Sequence, residues 1–173
     1  MPSRALLPAA DSSAHDPLTG VFNRRYLVNR LILEIAHALR TKAQAAVLMA
    51  DIDCLKQVND RFGHQEGDRA LQQIGRLIQL VPKRAADAAF RIGGEEFAVL
   101  MGNTDKTGAV GLSETLRGVT EGARFLPTGE AVTISLGVAT FPGDGQDAAT
   151  LIAAADRALY QAKAGGRNRV AAA

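Results

Sequence analysis

At 173 residues, 47% of them apolar, the chain suits one domain with one core. A formal charge of +2 gives no bulk electrostatic case for a nucleic-acid polymer or a membrane surface as partner. The one cysteine, Cys54, cannot close an internal disulfide, and no run approaches the roughly 18 apolar residues of a spanning helix. Residues 1–10 lack the apolar stretch of a secretory signal. The expectation is a soluble, cytoplasmic domain with no membrane segment.

Residues 1–15, small and without period, read as a linker or tail, and residues 16–173 as the domain. Asp16-Pro17 has the chemistry of a helix start, with Asp as N-cap and Pro at the first helical position. Leu27, Leu31, Ile35 and Ala38 then recur at helical spacing. The apolar run Ala45–Ala50 reads as a buried strand ending in the carboxylates of Asp51 and Asp53. A polar helix containing Lys56, Asn59 and Asp60 follows and is closed by Gly63. Leu71, Ile74, Leu77, Ile78 and Val81 mark another helix, stopped by Pro82.

Residues 88–92 and 97–101 read as two strands joined through Gly93-Gly94, whose glycines tolerate the positive φ of a tight turn. Residues 107–121 form a helix weakened by Gly108, Gly111 and Gly118. A β-branched strand over 132–140, an Ala-rich helix over 146–164 and a short edge strand over 168–171 complete the chain. Strands alternating with helices around one hairpin predict an α+β fold with a mainly antiparallel central sheet flanked by helices.

Asp51 ends one strand, while Glu95 and Glu96 sit at the hairpin between two others. Neighbouring strands would bring these carboxylates to one rim, a hard-oxygen cluster suited to Mg²⁺. Taken alone, the hairpin is more simply a common turn with solvated acids. Asn59 and Asp68 offer an amide and a carboxylate to the edge of guanine, or a helix cap and surface solvation. Lys163 and Arg167 offer charge-assisted bonds to phosphates, or complement a helix dipole. His64 reads as a structural or surface residue and Cys54 as a small packed one.

Read together, the segments resemble the GGDEF family of diguanylate cyclases in order over nearly the whole chain. The opening motif runs over 16–25. Asp51 to Asp68 looks like the metal and guanine segment, and Arg91-Ile92-Gly93-Gly94-Glu95-Glu96-Phe97 like the signature in its Glu form. Residues 134–139 and 155–170 resemble the later strand and the closing helix and strand. Leu55 stands where the family usually has Phe.

The resemblance implies a palm-like fold, as in polymerases and adenylate cyclases, and turnover of two GTP into cyclic di-GMP and two pyrophosphates. Asp51, the Ile52 carbonyl and Glu95 would hold Mg²⁺, with Glu95 as base for the attacking 3′-hydroxyl and Glu96 in support. Asn59 and Asp68 would hold guanine, with His64 nearby. Backbone N–H groups of Cys54 and Leu55, with Lys56, Lys163 and Arg167, would cradle phosphates, and Gly93 and Gly94 would admit the nucleotide. Lys56 would also stabilise charge at the α-phosphate.

One domain would supply half a site, so a second copy would complete a catalytic homodimer. Arg84 and Asp87 match the family's Arg-x-x-Asp motif for inhibition by product. They lie roughly 20 Å from the signature at about 3.3 Å per strand residue. The rival readings are a non-catalytic cyclic di-GMP receptor using Arg84 and Asp87, and a structural dimerisation module.

Overall fold

A computed structural model describes residues 14–80, 84 and 87–173. Most of the expected linker, residues 1–13, lies outside the described residues, as do the expected helix end at Val81-Pro82 and the middle of the Arg-x-x-Asp motif at Ala85-Ala86. Ala14 and His15 adjoin the domain: the Ala14 carbonyl accepts from Asn23 N, and His15 bridges to Phe22.

The opening segment departs from the sequence expectation. Asp16 caps a turn, accepting from Thr19 N at 2.9 Å and Thr19 Oγ1 at 2.7 Å. Gly20 follows at φ 76°, a left-handed conformation that a right-handed helix cannot include. After the two-residue strand β1 (Phe22–Asn23), helix α1 (Arg24–Thr41) starts on Asn23, whose side chain accepts from Tyr26 N. Its buried face is Leu27, Leu31, Ile35 and Ala38, as the periodicity predicts.

The remaining elements are β2 (Ala45–Ile52), α2 (Leu55–Phe62), α3 (His64–Leu80), β3 (Ala88–Gly93), β4 (Glu96–Gly102), α4 (Lys106–Ala123), β5 (Ile134–Phe141), α5 (Ala148–Ala164) and β6 (Val170–Ala172). Helix α4 forms throughout despite its glycines. Asp105 caps it through Gly108 N, and Ala109, Ser113, Leu116 and Thr120 bury one side. Burial of that stripe outweighs the propensity cost, which is about 1 kcal/mol per glycine at most.

One six-stranded sheet runs in the order β1-β3-β4-β2-β5-β6. The β3–β4, β4–β2 and β2–β5 pairs are antiparallel, while β1 with β3 and β5 with β6 add parallel edges. The α+β class and the mainly antiparallel centre are therefore as expected, within a mixed sheet. Strand β2 is central and buried along its whole length. Its side chains alternate between two cores. Ala46, Leu48, Ala50 and Ile52 join the cluster with α2, α3 and α4, and Ala45, Val47 and Met49 join α1 and α5. This parity sends Asp51 toward the α1 and α5 face. Among the described residues, no helix is long and apolar enough to cross a membrane.

Candidate active site

The site forms at the rim where β2 ends. In the register of β2 with β4, Asp51 lies opposite Glu96. The Ile52 N–H donates to the Glu95 carbonyl at 3.1 Å, so the backbone polar groups of Ile52 face the signature turn. Lys163, in the last turn of α5, reaches across to Asp51 Oδ2 at 2.5 Å. Asp51 is 4% exposed.

Electrostatics at this rim favour a cation. Burial pushes the Asp51 carboxyl above its ordinary value, an effect that Lys163 opposes and Glu96 and Asp53 reinforce. Burial also pushes Glu95 upward, and the neighbouring charge of Asp51 adds to it. These carboxylates repel one another and share one ammonium. Among the described residues, no three acidic, His or Cys side chains already stand in metal-ligating geometry. The acceptors at the rim are nevertheless all oxygen, the carboxylates of Asp51, Glu95 and Glu96 beside the Ile52 backbone, a hard set of the kind that suits Mg²⁺. The rim opens onto a cleft of about 340 Å³ between α1 and α5, lined in part by Glu96, Lys163, Arg24 and Asp156.

The glycines of the signature correct one expectation. Neither Gly93 nor Gly94 takes a left-handed φ. A Cβ on Gly94 would meet nothing within 4 Å, and one on Gly93 would meet only Glu96 Oε2, at 3.8 Å. Backbone strain and internal packing therefore do not require glycine at either position; the turn is simply open from outside. Arg91 fixes it, donating from Nε and Nη2 to the Gly94 carbonyl at 3.2 and 2.7 Å. The same guanidinium pairs with Asp16 through Nη1, which ties the opening motif to the signature.

Beyond β2, Cys54 takes φ 58° and begins α2 without a side-chain cap. It is exposed, contrary to the packed role read from its size, whereas Leu55 is buried. Lys56 is exposed. Asn59 is half-buried against α3: a Cβ on Gly67 would stand 1.7 Å from Asn59 Oδ1. Asp68, next to Gly67, is exposed, as is His64 at the start of α3. Arg167 is exposed beyond α5 at φ 64°.

Arg84 and Asp87 lie at the opposite end of β3. Asp87 accepts from Arg84 N and Gly102 N, both at 3.1 Å. Arg84 Nη1 reaches the carbonyls of Gly102 and Asn103 and the Oγ1 of Thr104. A cleft of about 430 Å³ adjoins them, with Leu80, Met101 and Leu112 in its walls.

Sequence reasoning gave no role to Asp53, Gly67 or Asn168. The parity of Asp53 with Asp51 marks its face in the sequence, and a glycine inside α3 marks a close approach. Nothing local marks Asn168, whose side-chain partners lie on α4.

The architecture is that of palm-like nucleotidyltransferases. The sequence profile described as "Diguanylate cyclase, GGDEF domain" matches residues 13–169, and the chain belongs to this family. It is 40% identical over 160 residues to the response regulator PleD of Caulobacter vibrioides, covering 90% of this chain and 35% of that protein. The GGDEF domain of DgcB from Caulobacter crescentus, solved with c-di-GMP, superposes with a TM-score of 0.86 at 30% identity, covering 95% of this chain and 98% of that one. The active GGEEF domain of a diguanylate cyclase from Vibrio cholerae gives 0.82 at 33%, covering 87% and 96%. The chain spans 44% of one curated relative and about a third of PleD.

Proposed function

We propose that this chain is a diguanylate cyclase domain that condenses two GTP into cyclic di-GMP and two pyrophosphates. The observation that carries this reading is the convergence of Asp51, Glu95, Glu96 and Lys163 at one rim. Strand β2 leads from that rim through Cys54 into α2, which packs on α3, the pair bearing Asn59 and Asp68. The intact acids favour turnover over a receptor that only binds product.

In this reading Asp51, Glu95 and the Ile52 carbonyl hold Mg²⁺. The ion would supply charge neutralisation at the α-phosphate and acidify the attacking hydroxyl. The carboxylate of Asp68 accepts paired N–H groups of guanine, and the Asn59 amide meets the same edge. Lys56, Lys163, Arg167 and the N–H groups of Cys54 and Leu55 hold the triphosphate. The 3′-oxygen bonds to the α-phosphorus of the facing nucleotide, pyrophosphate leaves, and Glu95 takes the hydroxyl proton. Two such transfers close the ring.

Each domain contributes one nucleotide, so a second copy must face the first, and holding both reactants supplies much of the barrier lowering. Arg84 and Asp87 bind product and restrain this approach.

The test is Mg²⁺-dependent GTP turnover by the wild type and Glu95→Ala across a range of protein concentrations. Cyclic di-GMP should form, its specific rate should rise through the monomer–dimer transition, and Glu95→Ala should lose at least about a hundredfold. Product formation undiminished in Glu95→Ala removes its role, and a concentration-independent rate removes the two-domain site.

A further inference from the structure

We propose that Asp53 is a positioning residue for the nucleotide phosphates, holding both sides of their site with one buried carboxylate. The proposal rests on the reading of Cys54, Leu55 and Arg167 as phosphate ligands. Asp53 is 7% exposed. Its Oδ1 accepts from Ser135 Oγ at 2.6 Å, and its Oδ2 accepts from Thr133 Oγ1 at 2.8 Å and from the Asn168 backbone N at 3.0 Å. Its own N–H donates to the Thr133 carbonyl at 2.9 Å. Among the described residues Asp53 has no ion pair, so neutral donors alone hold this carboxylate. A buried carboxylate is costly unless hydrogen-bonded, and an acceptor with this many lone pairs can organise several donors at once.

The bond to Asn168 restrains a bend that the backbone does not favour. Arg167 and Asn168 take consecutive left-handed conformations, φ 64° and 44°, after Gly166 at 118°. L residues with side chains seldom adopt this region, so the bend needs outside restraint. Asp53 restrains it from the β2 side. The Asn168 amide restrains it from α4, donating to Glu121 Oε1 at 3.0 Å and accepting from Arg117 Nη1 at 3.1 Å. Arg167 stands exposed on this bend. Next to Asp53 on the other side, Cys54 and Leu55 open α2. One carboxylate thus fixes the spacing between the α2 amides and the Arg167 arm. The guanine pair Asn59 and Asp68 lies outside this network, which predicts a selective effect.

The experiment compares binding of α,β-methylene-GTP and guanosine, in Mg²⁺, to the wild type, Asp53→Ala, Asp53→Asn, Asn168→Ala and Arg167→Ala, with denaturant unfolding of each. The analogue reports the phosphate site without turnover. Asp53→Ala should weaken the analogue at least about tenfold, one charge-assisted contact, and guanosine less than about twofold. Asp53→Asn keeps the shape and most bonds, so it should recover much of the loss. Asn168→Ala loses the α4 restraint while its Cβ keeps the left-handed strain, so it should lose affinity in the same direction, which serves if Asp53→Ala does not fold. Equal losses for both ligands, or no loss in folded Asp53 and Asn168 variants while Arg167→Ala weakens the analogue, overturn the role of Asp53. No loss even in Arg167→Ala overturns the phosphate site itself, and the inference with it.

Discussion

Asp16 accepts from Thr19 N, Thr19 Oγ1 and Arg91 Nη1. Burial acts to raise its carboxyl pKa, but the bonds from Thr19 and Arg91 outweigh burial and hold it below the usual 3.8. A carboxylate depressed in the fold adds stability above its unfolded pKa and loses it as pH falls through the folded value. Asp16→Asn should therefore cost about 1–2 kcal/mol at neutral pH, with the gap to wild type narrowing as pH falls below the ordinary carboxyl value of 3.8, as denaturant titrations at each pH would report. Gly67 poses a different balance. Alanine inside α3 gains helix propensity, up to about 1 kcal/mol, and its Cβ meets the flexible end of Asn59 rather than backbone. The side chain gives way, not the helix. Gly67→Ala should keep stability within about 1 kcal/mol of wild type while raising the KM for GTP about tenfold, read from steady-state kinetics beside unfolding curves.

At the scale of elements, the packing of β5 against α5 sets where Lys163 stands. A Cβ on Gly137 would lie 2.2 Å from both the Ala155 carbonyl oxygen and the Leu159 nitrogen. Both are helix backbone, which cannot turn aside. Small residues on the buried side of α5, Ala154, Ala155, Ala158 and Ala162, allow the same close approach. Gly137→Ala must lift the helix from the sheet, an overpacking cost of about 1–3 kcal/mol. It should lower the denaturant midpoint and, by moving Lys163 off Asp51, lower turnover as well. A midpoint equal to wild type would show that α5 does not rest on this glycine.

At the scale of the molecule, the sheet separates two sets of groups along β3. The acids gather at the end bearing the signature, while Arg84 and Asp87 cluster at the other with the turn into α4. In the proposed reading, a ligand at one end would not reach the reacting atoms at the other, so product inhibition would act on how two domains meet. Arg84→Ala should relieve inhibition by cyclic di-GMP at least about tenfold while leaving the initial rate within about twofold. It also leaves the turn carbonyls to water, so the stability loss should stay near 1 kcal/mol. An unchanged inhibition constant would remove Arg84 from product binding.

The amino-acid sequence by itself determined the class of fold and the order of elements from α1 onward, though not the short strand β1, because these rest on local signals; the candidate site residues stand out only when the segments are read together. The buried run at 45–50, the helical spacing of Leu27 to Ala38 and the Gly63 helix end are all legible within a few residues. The start of α1 is not legible locally because Asp16 and Asn23 can both cap; the bonds from Thr19 to Asp16 and the left-handed Gly20 place Asp16 in a turn and leave the helix start to Asn23. The signature glycines suggest positive-φ turn residues, yet neither takes a left-handed φ. What only the tertiary structure decided is adjacency across long separations: Asp51 with Lys163, Asn59 with Gly67, and Asp53 with Ser135 and Asn168. Periodicity fixes which face a side chain takes, but strand register and helix packing fix which neighbour it meets there.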